Sequence, residues 1–86
     1  MTNEPEVRVF YIETVIGDFN NPQRNCFLLC AENEEDAYRR LEEYDKIFAQ
    51  NIDFIIDMGK WEGYHGVKDT LDKDGVVDVP WRLNES

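Results

Sequence analysis

Four stretches of the chain have the residue pattern of β-strands. Residues 7–16 are rich in β-branched and aromatic side chains, and residues 25–31 are an almost continuous apolar run. Residues 52–58 alternate apolar and acidic positions. Residues 75–83 are predicted as a last strand, which either lies at a sheet edge or ends at Pro80, because proline has no donor for the ladder.

The first strand carries apolar residues on both faces: Val7, Val9, Tyr11 and Val15 on one, and Phe10, Ile12 and Ile16 on the other. A strand of this kind belongs in the middle of its sheet, with both faces covered. In the third strand, alternation places Ile52, Phe54, Ile56 and Met58 together, opposite Asp53, Ile55 and Asp57. We therefore expect one side of that strand to face the core and the other to be partly in water.

Residues 33–49 have the pattern of a single amphipathic helix. Asn33 is a suitable N-cap, and three acidic residues follow it at the positive end of the helix dipole. The apolar positions recur at spacings of three and four, at Ala37, Tyr38, Leu41, Tyr44, Ile47 and Phe48. The pattern ends at the polar pair Gln50 and Asn51.

These elements predict one α+β domain spanning residues 1–86, a small mainly antiparallel sheet in β-β-α-β-β order with one amphipathic helix packed on one face. The polar loop 17–25 joins the first two strands as a hairpin, and it carries Phe19, an aromatic with no obvious core to enter. We expect an irregular loop at 59–75 and flexible termini at 1–6 and 84–86.

The charge of the chain limits its partners. Nineteen acidic and nine basic residues among 86 give a formal net charge of −10, which repels nucleic acid and anionic membranes and attracts basic protein surfaces. The basic residues are dispersed, so direct nucleic-acid binding is disfavoured. Residues 1–6 lack the pattern of a signal peptide, and no apolar run approaches the ~20 residues of a membrane span. The expected location is the cytoplasm.

The two cysteines and the single histidine offer little chemistry. Cys26 and Cys30 lie ~13 Å apart if their segment is a strand, too far for a disulfide, whose Cα atoms lie within ~7 Å. With His65 they also supply too few zinc ligands. Buried thiols in a reducing compartment are the favoured interpretation, and His65 has no nucleophile to activate.

The sequence around Gly75 does not match the pattern of an EF-hand calcium-binding loop. The EF-hand pattern puts Asp72 and Asp74 at ligand positions, but it puts Thr70 first and Trp81 where the bidentate glutamate belongs. A tight hairpin turn is favoured there, and weak divalent-cation binding by the neighbouring acids stays open. We expect no cofactor, no metal and no enzymatic activity.

We favour the hypothesis that the chain is a non-enzymatic binding protein that engages a basic surface of a protein partner. A more specific hypothesis is that it inhibits a nucleic-acid-binding enzyme or complex by phosphate mimicry. In composition the chain is similar to phage-encoded inhibitors of host defence such as anti-CRISPR proteins. The candidate contact residues are Glu34, Glu35, Asp36, Glu42, Glu43, Asp53, Asp57, Asp69, Asp72 and Asp74, with Trp61 and Tyr64 as aromatic anchors.

Three alternatives stay open at this point. The chain could instead be a small-ligand or regulatory domain, with Tyr11, Trp61 and His65 at a pocket on the sheet face away from the helix. Trp61 and Trp81 fit either the core or an interface. A monomer and a homodimer are both compatible with the last strand.

Overall fold

Six elements of secondary structure follow one another in the computed structural model, which describes residues 6–61 and 75–79. They are β1 (Arg8–Ile16), β2 (Gln23–Ala31), α1 (Glu34–Tyr44), α2 (Lys46–Ala49), β3 (Ile52–Lys60) and β4 (Val76–Val79). The predicted turn at 72–74, Pro80 and Trp81 of the last strand, and the predicted flexible ends at 1–5 and 84–86 lie outside the described residues.

The sheet has four strands in the order β3-β1-β2-β4, and each neighbouring pair is antiparallel. β1 pairs with β2 along its whole length, from Arg8 opposite Ala31 to Ile16 opposite Gln23. This arrangement confirms the α+β class, the hairpin and the central position of β1. The predicted element order β-β-α-β-β is only roughly matched, because two helices stand between β2 and β3 where one was predicted.

The helix predicted over 33–49 is broken at Asp45, which corrects the sequence prediction. Asp45 is extended (φ −162°, ψ 115°); its backbone N–H donates to the Leu41 carbonyl at 2.8 Å and so ends α1. Its Oδ1 accepts from the Ile47 amide at 2.8 Å and so begins α2. The break arises because a short aspartate side chain competes with the helix for backbone amides. Asn33 caps α1 as predicted, accepting from the Asp36 amide at 2.8 Å.

The helices cover one face of the sheet and form the first core cluster. Its buried members are Phe10, Ile12, Phe27, Leu29, Ala31, Ala37, Leu41 and Ala49. Phe27 lies at the centre, with its ring centroid 4.9 Å from that of Phe48 and 6.0 Å from that of Tyr44. This burial of apolar area is the main stabilising contribution on the helix side.

The other face of the sheet carries a second buried cluster, formed by Val9, Tyr11, Cys26, Leu28, Cys30 and Val79. Tyr11 is fully buried there, so β1 is covered on both faces as its sequence predicts. Cys26 and Cys30 are buried and are not joined in a disulfide, in agreement with the sequence prediction.

β3 departs from simple alternation, and this corrects a second prediction. The pairing with β1 shifts register between Glu13 and Thr14, which leaves Asp53 as an extra residue. Because of that bulge, Ile52 packs in the first cluster together with Ile55. The remaining apolar residues of the strand, Phe54, Ile56 and Met58, pack against the second cluster.

β3 is also longer than predicted. A second register shift lies between Val9 and Phe10, and Gly59 there has a φ of +102°, a conformation that glycine adopts readily. Gly59 and Lys60 therefore belong to the strand, not to the irregular loop predicted from residue 59. Neither described helix is long and apolar enough to cross a membrane.

Candidate partner-binding surface

Four of the predicted contact residues lie on the outer side of α1. Glu34, Glu35 and Glu43 are exposed and Glu42 is half-buried, and no described basic group lies within ion-pair distance of any of them. We call these four residues the α1 acidic surface. Tyr38 lies among them, one helical turn from Glu34 and from Glu42, and is 39% exposed.

The α1 acidic surface is interrupted by a cation. Arg39 is one turn from both Glu35 and Glu43, and its guanidinium binds the carboxylate of Asp36. That hydrogen bond is the main cause that raises the pKa of Arg39. The negative potential of this face is therefore lowered locally but not cancelled, because four glutamates surround one arginine.

Asp36 is engaged within the chain. Its carboxylate binds Arg39, lies 3.3 Å from Arg40 Nε and accepts from the Glu32 amide at 3.1 Å. Burial opposes its ionisation, but the hydrogen bonds from Arg39 and Glu32 and the attraction of Arg40 hold the pKa of Asp36 below its usual value. Asp36 thus has a structural role at the start of α1.

Asp53 and Asp57, four residues apart on β3, are also paired within the chain. Asp53 Oδ2 lies 3.0 Å from Arg24 Nη1. Asp57 Oδ2 lies 2.8 Å from Arg8 Nε, and its Oδ1 accepts from the Gly59 amide at 2.9 Å. The hydrogen bond from Arg8 is the first cause that lowers the pKa of Asp57. The structure therefore separates these two acids from the α1 acidic surface.

The aromatic and acidic residues predicted beyond β3 are only partly described. Trp61 is half-buried, packs against the second core cluster and donates its backbone N–H to the Val7 carbonyl at 3.0 Å. This placement supports the interpretation of Trp61 as a core residue. The other candidates, Tyr64, Asp69, Asp72 and Asp74, lie outside the described residues, as does His65.

A buried carboxylate is the feature that the sequence prediction missed. Glu13 is 1% exposed; its Oε2 accepts from the Tyr11 hydroxyl at 2.8 Å and its Oε1 from Arg24 Nη1 at 2.8 Å. Arg24 also reaches Asp53, so the network spans β1, β2 and β3. The signal was available, because Glu13 is the one charge in the buried alternation of Val9 and Tyr11. Enclosed in this way, Glu13 stabilises the sheet and is not accessible to a substrate.

The tip of the β1–β2 hairpin presents Phe19 to solvent. Phe19 is 99% exposed, as the lack of a core for it predicts. Asp18 holds the turn, since its Oδ1 accepts from the amides of Asn20 at 3.0 Å and Asn21 at 2.8 Å. The sequence singled out this aromatic but did not place it among the contact residues.

The structure offers little to the small-ligand alternative on the second sheet face. Tyr11 is fully buried and its hydroxyl donates a hydrogen bond to Glu13, so its ring is not the floor of an open pocket. A cavity of about 580 Å³ is an open groove on the helix side, lined by Arg39, Arg40, Glu43, Tyr44, Gly75 and Val76. Among residues 6–61 and 75–79, no three His, Cys, Asp or Glu side chains are grouped to hold a metal ion.

Comparisons of the chain with models of known protein families, with curated proteins and with solved structures found no match. The function of the protein is therefore inferred from the geometry and charge of the chain itself.

Proposed function

We propose that this protein is a non-enzymatic binding protein that engages a basic surface on a protein partner through the α1 acidic surface. The observation that supports the proposal is that Glu34, Glu35, Glu42 and Glu43 lie on one helix and form no ion pair with a basic group of residues 6–61 or 75–79. Other acids of the same chain, such as Asp36 and Asp57, are paired with described arginines. The four glutamates are therefore better placed than these acids to bind an external cation.

The overall charge strengthens the field of this surface. A net charge of −10 on 86 residues attracts a basic partner during diffusion, and such steering raises association rates most at low salt. Exposed carboxylates lose their hydration shell only on contact, so their effect is expected mainly in the association rate. Tyr38 adds an amphipathic ring among the charges, the residue type that is enriched at protein interfaces.

The sharper form of the proposal is an inhibitor that occupies the nucleic-acid site of an enzyme or complex. The four carboxylates form two pairs, Glu34 with Glu35 and Glu42 with Glu43, whose centres lie ~12 Å apart along the helix axis. That separation corresponds to roughly three to four of the ~3.4 Å steps between phosphates along one strand of B-DNA. A groove that binds phosphates with lysines and arginines would present the complementary spacing.

A charge-matched set of variants tests the proposal. Glu35→Lys and Glu42→Lys change the α1 acidic surface, and Asp78→Lys makes the same charge change at an exposed position of β4. Each tagged protein is used to capture partners from host lysate at low and high salt, with and without nuclease, and retained proteins are quantified by mass spectrometry.

We expect the wild type and Asp78→Lys to retain a nucleic-acid-binding protein at low salt. High salt, or added DNA or RNA, should release this partner. The two α1 variants, Glu35→Lys and Glu42→Lys, should not retain it. A partner retained equally by all four proteins, or held equally at high salt, would contradict the proposal.

A further inference from the structure

Phe19 is the most exposed large apolar side chain among the described residues, at 99% of its accessible surface. A single exposed apolar residue on a protein surface needs no explanation. Phe19 differs from such a residue in its position, because it stands at the tip of the hairpin that joins β1 and β2 and contacts none of the core clusters. Its exposure therefore contributes nothing to folding.

The backbone of the turn that carries Phe19 is held by hydrogen bonds within the loop. Asp18 accepts from the amides of Asn20 and Asn21 through its side chain, and its carbonyl accepts from the Asn21 amide at 3.2 Å. Gly17 has a φ of +111°, and a Cβ there would lie 2.6 Å from the Asn21 carbonyl oxygen. These contacts favour one backbone conformation around Phe19, which lowers the cost of ordering the backbone when the ring binds.

We propose that Phe19 is an anchor that inserts into an apolar pocket with a basic rim on a protein partner. Full burial of a Phe side chain that was fully exposed is expected to tighten binding roughly 10- to 150-fold. That gain is in the range of an interface hot spot, where a buried aromatic carries much of the binding energy.

Charge complementarity determines the kind of pocket. The Asp18 carboxylate adjoins Phe19, and Glu13, Arg24 and Asp53 at the same end of the sheet carry a net negative charge. A basic rim would be attracted to this end, and an anionic bilayer would be repelled by the chain as a whole.

The inference deepens the proposed function and rests on it for a partner with a basic surface. The two contacts are spatially distinct, because the hairpin tip precedes β2 whereas Glu34 and Glu35 begin α1 just after the opposite end of β2. The loss of one contact can therefore be measured without the loss of the other.

Photocrosslinking from the hairpin tip tests the anchor. The full chain carrying p-benzoyl-phenylalanine in place of Phe19 is irradiated in host lysate, and the same amino acid at position 50, on the exposed C-cap of α2, serves as the control. Unlabelled wild type, Phe19→Ala, Phe19→Leu and Glu35→Lys are then added as competitors. Their unfolding temperatures are measured to verify that they fold, since substitutions at exposed positions change stability by less than ~0.5 kcal/mol.

We expect one discrete protein adduct from position 19, absent from position 50. Wild type should compete for it, Phe19→Leu should compete within about 3-fold of wild type, and Phe19→Ala should need about a 30-fold higher concentration, as for an interface hot spot. The proposal is overturned if no discrete protein adduct forms, if the adduct is a lipid or glycan, or if Phe19→Ala competes as well as wild type.

The Glu35→Lys competitor separates this inference from the proposed function. If Glu35→Lys competes like wild type while Phe19→Ala does not, the anchor role of Phe19 is supported and the proposed binding role of the α1 acidic surface is wrong. If Glu35→Lys fails to compete while Phe19→Ala competes fully, the binding role of the α1 acidic surface is supported and the anchor role of Phe19 is wrong.

Discussion

The hydroxyl of Tyr11 donates a 2.8 Å hydrogen bond to Oε2 of Glu13, and both residues are buried on the second face of the sheet. The carboxylate is held from its other side by Arg24, whose side chain reaches solvent. A buried carboxylate is stable only when such donors replace the water that it has lost.

The first prediction concerns this hydrogen bond. Tyr11→Phe removes the donor and leaves Oε2 of Glu13 without that partner, which should lower the free energy of unfolding by about 1–3 kcal/mol. Urea unfolding followed by circular dichroism measures the change. Tyr38→Phe is the matched control, because Tyr38 is partly exposed and its hydroxyl can be hydrated. Equal stability of the two variants would show that the Tyr11–Glu13 bond contributes nothing.

The second prediction concerns the two glycines with positive φ. Gly17→Ala should be destabilised both by its backbone conformation and by the 2.6 Å approach of the new Cβ to the Asn21 carbonyl oxygen. Gly59→Ala shares the unfavourable φ, but its Cβ would meet no atom within 4 Å. We expect Gly59→Ala to cost about 1 kcal/mol and Gly17→Ala distinctly more. Thermal unfolding ranks the two variants, and the reverse order would contradict the geometry of the turn.

The third prediction concerns pH. The folded-state pKa of Asp36 is lowered, so its ionised form stabilises the fold above the unfolded-state value of ~4, and that contribution is lost as the pH falls through the folded-state pKa. Asp36→Asn should therefore be less stable than wild type by about 0.5–1 kcal/mol at pH 6. The difference should shrink toward pH 3.

Chemical denaturation at several pH values measures this difference. Glu35→Gln is the control, because Glu35 is exposed on the same helix and the neighbouring Arg39 and Arg40 pair with Asp36 instead. A constant difference between Asp36→Asn and wild type from pH 6 to pH 3 would rule out the ionic role of Asp36.

The fourth prediction concerns the helix side of the core. Leu41 is fully buried in the first cluster, so Leu41→Ala should cost about 2–5 kcal/mol, the sum of lost burial and the cavity left behind. Ile47 lies on α2 but is 59% exposed, and Ile47→Ala should change stability by less than about 1 kcal/mol. A comparable loss in both variants, measured by urea unfolding, would contradict the packing described for these helices.

Hydrophobic periodicity was sufficient to predict the elements and the sheet position of β1. Apolar residues on both faces of residues 7–16 can only be buried in a central strand, and the structure places that strand between β2 and β3. Periodicity could not predict the break at Asp45, because both neighbouring turns keep helical spacing and only the capping bonds of that side chain separate them.

The face of the sheet on which Ile52 packs could also not be predicted from the sequence. A bulge at Asp53 shifts the alternation by one residue, and its position depends on the register with β1, which is a tertiary property. For the candidate surface, the sequence identified the acids but not their internal partners. Asp53 and Asp57 are paired with Arg24 and Arg8, which are distant in sequence and lie on other strands. Asp36 is paired with Arg39 and Arg40, which follow it by three and four residues on the same helix.

The central claim is that the carboxylates of the α1 acidic surface steer the protein to a basic partner, and kinetics test it most directly. The association and dissociation rates of the captured partner are measured for wild type, Glu35→Lys and Asp78→Lys over a series of salt concentrations. The account predicts that Glu35→Lys associates more slowly than Asp78→Lys and with a weaker salt dependence, while the dissociation rates change less. Association rates that are equal for these two variants and insensitive to salt would contradict it.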